Sequence, residues 1–301
     1  MAFVLILLLA AHLLCMNVSS AGPLLCIWYA DRKANSTKPW AQNIALSLSK
    51  WTVILLLLGV ALGLALGTTS MLVGESQLVE TLPLFRRKIV WGIVELFCSL
   101  GWMLGYWFWL KRRPPQGFTA RFLHGGLAVL SATNLLYHFP PLLTVMTKAA
   151  RGDLEVTEPV TAATFRGLVY QPIVMAHTLH FWWASLAVSG VFLFWLARKN
   201  EHAQEITQFG AGVALAATVL QLPTGLWLLF VTPAQSQSKL VGGDALITSL
   251  FLFSMVAAYL LVQNLAVLAL GDYDGKLPKR CGWLMLATVV MMSGTLHLLR
   301  A

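Results

Sequence analysis

Apolar residues in this chain come in long runs separated by short polar stretches, and alternation of the kind a half-buried strand needs is missing. The runs fall at about 3–29, 51–73, 89–110, 122–147, 171–197, 208–232, 245–270 and 281–300. Each is near the roughly 20 residues a helix needs to cross about 30 Å of hydrocarbon. The pattern predicts an all-α, polytopic membrane helix bundle with about eight transmembrane helices, forming a single domain over 1–301. No polar stretch is long enough for an inserted soluble domain. The first run has no basic start and stays apolar to about Tyr29, so it reads as a span and not as a cleaved leader.

Composition agrees. The chain is 58% hydrophobic and 11% charged, with mean hydropathy +0.73, which excludes a water-soluble domain of this size. The net charge of +9 comes from Lys and Arg scattered over short loops, so nucleic acid is not an expected partner. Thirteen of the 21 basic residues lie in 31–50, 111–121, 198–207 and 271–280, and eight in the alternate connections and C-terminus. Basic loops stay in the cytoplasm, which puts both termini outside. Cys15, Cys26, Cys98 and Cys281 form no CxxC or CxxCH, so they are expected as free, buried thiols.

What changes the picture is the polar chemistry inside the runs. The stretch QPIVMAHTLHFWWASLAVSGVFLFWLA (171–197) carries His177 and His180 near its start. An ionisable side chain in hydrocarbon is costly and marks a functional site by default, and neutral imidazole is a standard axial ligand of haem iron. Histidines bonded to carbonyls between packed helices are the alternative. At about 1.5 Å per residue, His12 lies about 15 Å from the outer end of its run, His138 about 14 Å, and His177 and His180 about 9 and 14 Å. Glu95 is about 9 Å deep, and His297 is close to the outer end of the last run. Five of the seven histidines thus share the outer half with a carboxylate, as a cofactor site between helices would require. Glu95 suits proton delivery or a structural hydrogen bond. His138 suits ligation or packing. His124, fourteen residues before it, has no partner at its depth and reads as interfacial. The glycines of LGVALGLALG (58–67) allow close helix approach. The tryptophans 91, 102, 107, 109, 182, 183 and 227 read as interface anchors. Asn134, Gln221 and Asn264 are expected to bond across helices, and Pro223 to kink its helix.

Four stretches resemble subunit I of the cytochrome bd quinol oxidases. AHLLCMNVSSAGPLLCIWYADRK with the following WAQNIALSLSKWTVILLLLGVALGLALG is similar to that family's first two helices. IVELFCSLGWMLGYWFWLKR is similar to its third, PIVMAHTLHFWWASLAVSG to its fifth, and FLFSMVAAYLL to its methionine-bearing segment. The resemblance implies a haem ligand at His12, a glutamate of the proton path at Glu95, and a low-spin haem held by His177 and Met255. His138 or His180 are the alternative ligands. The chain departs from the family between Pro233 and Asp244, where a long quinol-binding loop is missing. It also has Arg87 in place of a second carboxylate, and it ends at Ala301 before a late glutamate of helix eight.

The expectation is a membrane cytochrome with one or two b-type haems, the one at His12 of high-spin b or d type. It would transfer electrons in a respiratory complex of the bacterial cytoplasmic membrane. Partner subunits would supply the quinol or cytochrome c site. A compact terminal oxidase and a haem-free transporter or scaffold are the rival expectations. An inverted internal repeat would favour the transporter, and none is visible.

Overall fold

A computed structural model describes residues 1–33, 39–74, 77–271 and 275–299. Among these residues there is no strand, and eight long helices carry the fold. They are α1 (Ala2–Ile27), α2 (Pro39–Leu72), α3 (Arg86–Arg112), α4 (Gly117–Ala150), α5 (Pro172–Ala197), α6 (Ala203–Val231), α7 (Ala245–Leu270) and α8 (Leu277–Leu298). Seven are long and apolar enough to span a membrane. The exception is α4, whose 122–147 core holds two histidines, an asparagine and two prolines. The protein is an all-α polytopic membrane bundle. Lys38 and Arg300, both counted for orientation, lie outside the described residues.

Short connections make chain neighbours antiparallel, and the eight helices close into two four-helix rings. In the first, α1 packs on α2, α2 on α3, α3 on α4 and α4 on α1. The second repeats this order with α5, α6, α7 and α8. The rings meet where α1 packs on α5 and α8, and α4 on α5. Both rings contain an even number of helices, so they run in the same sense, and the repeat is parallel and not inverted. The N- and C-termini share one end, where Ile6 lies beside Gly294.

Small residues decide where helices touch. A Cβ on Gly190 would stand 2.5 Å from the Gly210 carbonyl, and one on Gly210 would stand 2.5 Å from that of Gly190. The α5–α6 crossing therefore admits only glycine at these two positions. In α1 the run Asn17–Pro23 is buried. At the ring seam Ser185 Oγ donates to Asn17 Oδ1 at 2.9 Å, and Ser189 Oγ to the Asn17 carbonyl at 3.4 Å.

Helix α2 starts twelve residues before the apolar run that announces it. Its first turns bury Ala41, Ile44, Ala45 and Leu48, an i, i+3, i+4, i+7 face that packs on the end of α1. At 34 residues it is about 51 Å long. Trp40 there stacks on His202 at 4.7 Å, and Trp28 at the end of α1 stacks on Phe209 of α6 at 5.0 Å.

The opposite end is closed by a Schellman cap on α4. Gly152 takes φ +72°, its N–H bonds the Ala149 carbonyl, and the Asp153 N–H bonds that of Lys148. This is the reciprocal pattern that a left-handed residue permits. It sets Asp153 Oδ2 3.0 Å from Lys148 Nζ, while Arg151 Nη2 donates to the Leu299 carbonyl at 2.6 Å. Arg151 thereby fastens the end of α4 to the end of α8.

Trp182 is not an anchor. Pro140 sits inside α4 and has no N–H, so the carbonyl of Leu136 loses its helical donor. The indole Nε1 of Trp182 donates to that carbonyl at 2.7 Å and ties α5 to α4. Trp91, which is 54% exposed, keeps the anchor role. Asn134 bonds across to the Glu95 carbonyl at 3.4 Å, whereas Asn264 bonds back to Leu260 in its own helix. The four cysteines are free, and Cys98 alone is exposed. Trp182→Phe should destabilise the detergent-solubilised protein by roughly 1 kcal/mol. Adding Pro140→Ala, which returns a donor to Leu136, should make the tryptophan change nearly neutral. A double-mutant cycle by denaturant unfolding measures the coupling.

Candidate functional site

Three hairpins each pack an imidazole against a glycine of the partner helix. In α1–α2, His12 Nδ1 lies 2.7 Å from the Gly59 carbonyl, and a Cβ on Gly63 would come 2.9 Å from His12 Cε1. In α3–α4, a Cβ on Gly92 would come 3.3 Å from His138 Nε2. In α5–α6, a Cβ on Gly225 would come 3.6 Å from His180 Cε1. A larger residue at these glycines would press on the ring, most severely at Gly63.

The seam bonds place the three imidazoles at one depth. Asn17 meets Ser185, and five residues outward from each are His12 and His180. Trp182 meets Leu136, and two residues outward from each are His180 and His138. The layer lies about 12 Å from the start of α5. The rings do not converge, because His138 faces α3 and His180 faces α6. Among the described residues no three His, Cys, Asp or Glu side chains gather as a metal-holding group.

The hydrogen-bond inventory separates these histidines. A carbonyl only accepts, so His12 Nδ1 carries the proton and Nε2 keeps its lone pair. This is the state in which a metal-bound histidine is held by its outer partner. His138 Nε2 and His180 Nδ1 are buried without a hydrogen-bond partner, an arrangement that costs free energy unless something fills it. His177 is half-buried one turn outward of His180. Glu95 is half-buried on α3 and, like Lys88, lies within electrostatic reach of His138. Met255 is 44% exposed on α7, a helix that packs on α6 and α8.

His124 belongs elsewhere. It is fully buried between α3 and α4, stacked on Tyr106 at 3.9 Å with Nε2 donating to the Tyr106 carbonyl at 3.2 Å. The aromatic pair and the small residues Gly125 and Ala128 give it room between the two helices. His297 is also buried, near the end of α8.

Above the layer, the connection after α4 folds back as a lid. Thr161 caps a short helix, Ala162–Val169, by accepting from Thr164 N. Phe165 and Val160 join Phe85, Leu142, Met146 and Val174 in one apolar cluster. The glycines facing the imidazoles are what the sequence reading missed. Matching depths across antiparallel neighbours would have paired Gly92 with His138 and Gly225 with His180.

Compared with known proteins, the chain matches no family model and no curated protein.

The bond to Gly59 predicts that ¹⁵N NMR of the histidine-labelled protein will report His12 as the Nδ1–H tautomer. Gly63→Leu should abolish that signature. An Nε2–H signal in the wild type would contradict the bond to Gly59.

Proposed function

We propose that the chain is an integral-membrane b-type cytochrome that passes electrons through one or two haems. In this reading the histidine layer lies toward the outer face of a bacterial cytoplasmic membrane. The observation that carries the reading is the bond from His12 Nδ1 to the Gly59 carbonyl at 2.7 Å, which leaves Nε2 as a lone-pair donor inside the bundle. Two further ring nitrogens at the same depth, on His138 and His180, are buried without partners, each beside a glycine of the neighbouring helix.

Haem, when bound, supplies a one-electron redox centre. The chain's part is to bind and insulate it. His12 is the proposed ligand of one haem. A second haem would be held by His177 together with Met255, as the bd-oxidase resemblance implies. His180 and His138 are the alternative ligands and are better buried than the half-exposed Met255. The apolar lid over 160–174 excludes water from that end, and low polarity strengthens every charge interaction within. Glu95, beside His138, is the proposed proton group accompanying reduction. The connection at 233–244 is short, so the electron donor, a quinol or cytochrome c, would dock on partner subunits of a respiratory complex.

A dithionite-reduced minus oxidised spectrum of the purified protein tests this. Sharp b-type bands are expected, lost in His177→Ala and retained in His124→Phe, because His124 only packs. Carbon monoxide should shift the bands of a five-coordinate haem, and His12→Ala should remove that shift. A colourless protein, expressed with haem supplied, would sink the cytochrome reading in favour of a scaffold or transporter. Oxygen uptake by the isolated chain would favour the compact oxidase.

A further inference from the structure

On the opposite half of the bundle the two rings leave a slot. It is a cavity of about 580 Å³ between α1, α2, α5 and α8, inside the roughly 300–1,000 Å³ span of small-molecule sites. Its floor is apolar, built from Val18, Leu55, Val188, Phe194 and Met285. Helix α2 does not pack on α8, so the slot lies between the rings with α1 and α5 behind it. Its polar end is cationic. Arg198, just past the last turn of α5, and Lys279, in the first turn of α8, both line it and both are exposed. The Arg198 guanidinium lies 4.9 Å over the Trp195 ring, and Trp195 is held edge-on by Trp51 at 4.9 Å. Among the described residues no carboxylate lines the slot.

We infer that this slot binds one anionic phospholipid, its phosphate on Arg198 and Lys279 and an acyl chain along the apolar floor. The charge arrangement selects the occupant. Two cations at the rim suit a head group of net negative charge. Basic pockets between helices on the cytoplasmic side are the places where such head groups bind, and the loop charges assign Arg198 and Lys279 to that side. A neutral chain would use the floor and leave both cations unmatched. Arg198 stacked on an indole is also pre-oriented, so less side-chain freedom is lost on binding. The inference does not depend on haem.

The test uses the full chain, stripped of lipid in detergent, and native mass spectrometry with phosphatidylglycerol or phosphatidylcholine of matched acyl chains. Wild type should bind phosphatidylglycerol about tenfold more tightly, and Arg198→Gln with Lys279→Gln should remove that preference. Gly282→Trp should weaken both lipids. Gly282 lines the slot, and a Cβ there meets nothing within 4 Å, so the substitution has room to start and adds bulk at the slot wall. Equal binding of the two lipids by wild type would overturn the proposal, as would undiminished binding by the Gln pair or by Gly282→Trp. So would displacement of phosphatidylglycerol by an isoprenoid quinone whose own binding ignores the two cations, which would assign the slot to a neutral redox lipid.

Discussion

Everything else in this bundle rests on Asn17 satisfying its hydrogen bonds where water is absent. Asn17 is 4% exposed and near the middle of α1, a helix that touches α2, α4, α5 and α8. In hydrocarbon, lipid tails offer helices no hydrophobic reason to associate, so packing of small residues and interhelical polar bonds must hold them. The run Asn17–Val18–Ser19–Ser20–Ala21–Gly22 provides both. Its small side chains let four helices crowd one, and Asn17 takes the hydroxyl of Ser185 on its side-chain amide and that of Ser189 on its backbone carbonyl. That pairing sets α5 against α1, and the register brings His12 and His180 to one depth.

The histidine layer follows from the same logic inside each hairpin. An imidazole between two helices needs volume, and a glycine opposite supplies it. The hairpins differ in what they leave over. His12 finds a carbonyl at the glycine, while His138 and His180 meet bare glycine Cα faces and keep a buried nitrogen unpaired. His124, at the other end of α4, likewise keeps a buried ring nitrogen, Nδ1, unpaired, so an unpaired nitrogen is not peculiar to the layer. It is sandwiched by Tyr106 and bonded to the same residue's carbonyl.

Much of this was legible in the sequence. Eight apolar runs gave the helices, because a bilayer requires apolar length, and the common depth of His12, His138 and His180 was read from spacing alone. The start of α2 was not, because residues 39–50 hold their helix by a packed face and not by hydropathy. Trp182 resembled a membrane anchor until the fold placed it on a carbonyl that Pro140 had freed. Such a bond depends on which helix lies alongside, and composition carries no record of that. Met255 was singled out by resemblance alone, since an apolar helix displays methionine equally well to lipid or to a cofactor.

The two rings are fastened at three levels. Arg151 on the Leu299 carbonyl holds them at one end. Asn17 with Ser185 and Ser189 holds them in the middle. Trp28 on Phe209 and Trp40 on His202 hold them at the far end, where α2 outruns the bilayer. A single fastening would act as a pivot. Three spaced along the full height act as a splint, so neither ring can tilt against the other without breaking contacts at two levels together. Alternating access by rocking one bundle over a central site would work against this construction, and a pathway for electrons, which asks only that distances stay fixed, would be served by it.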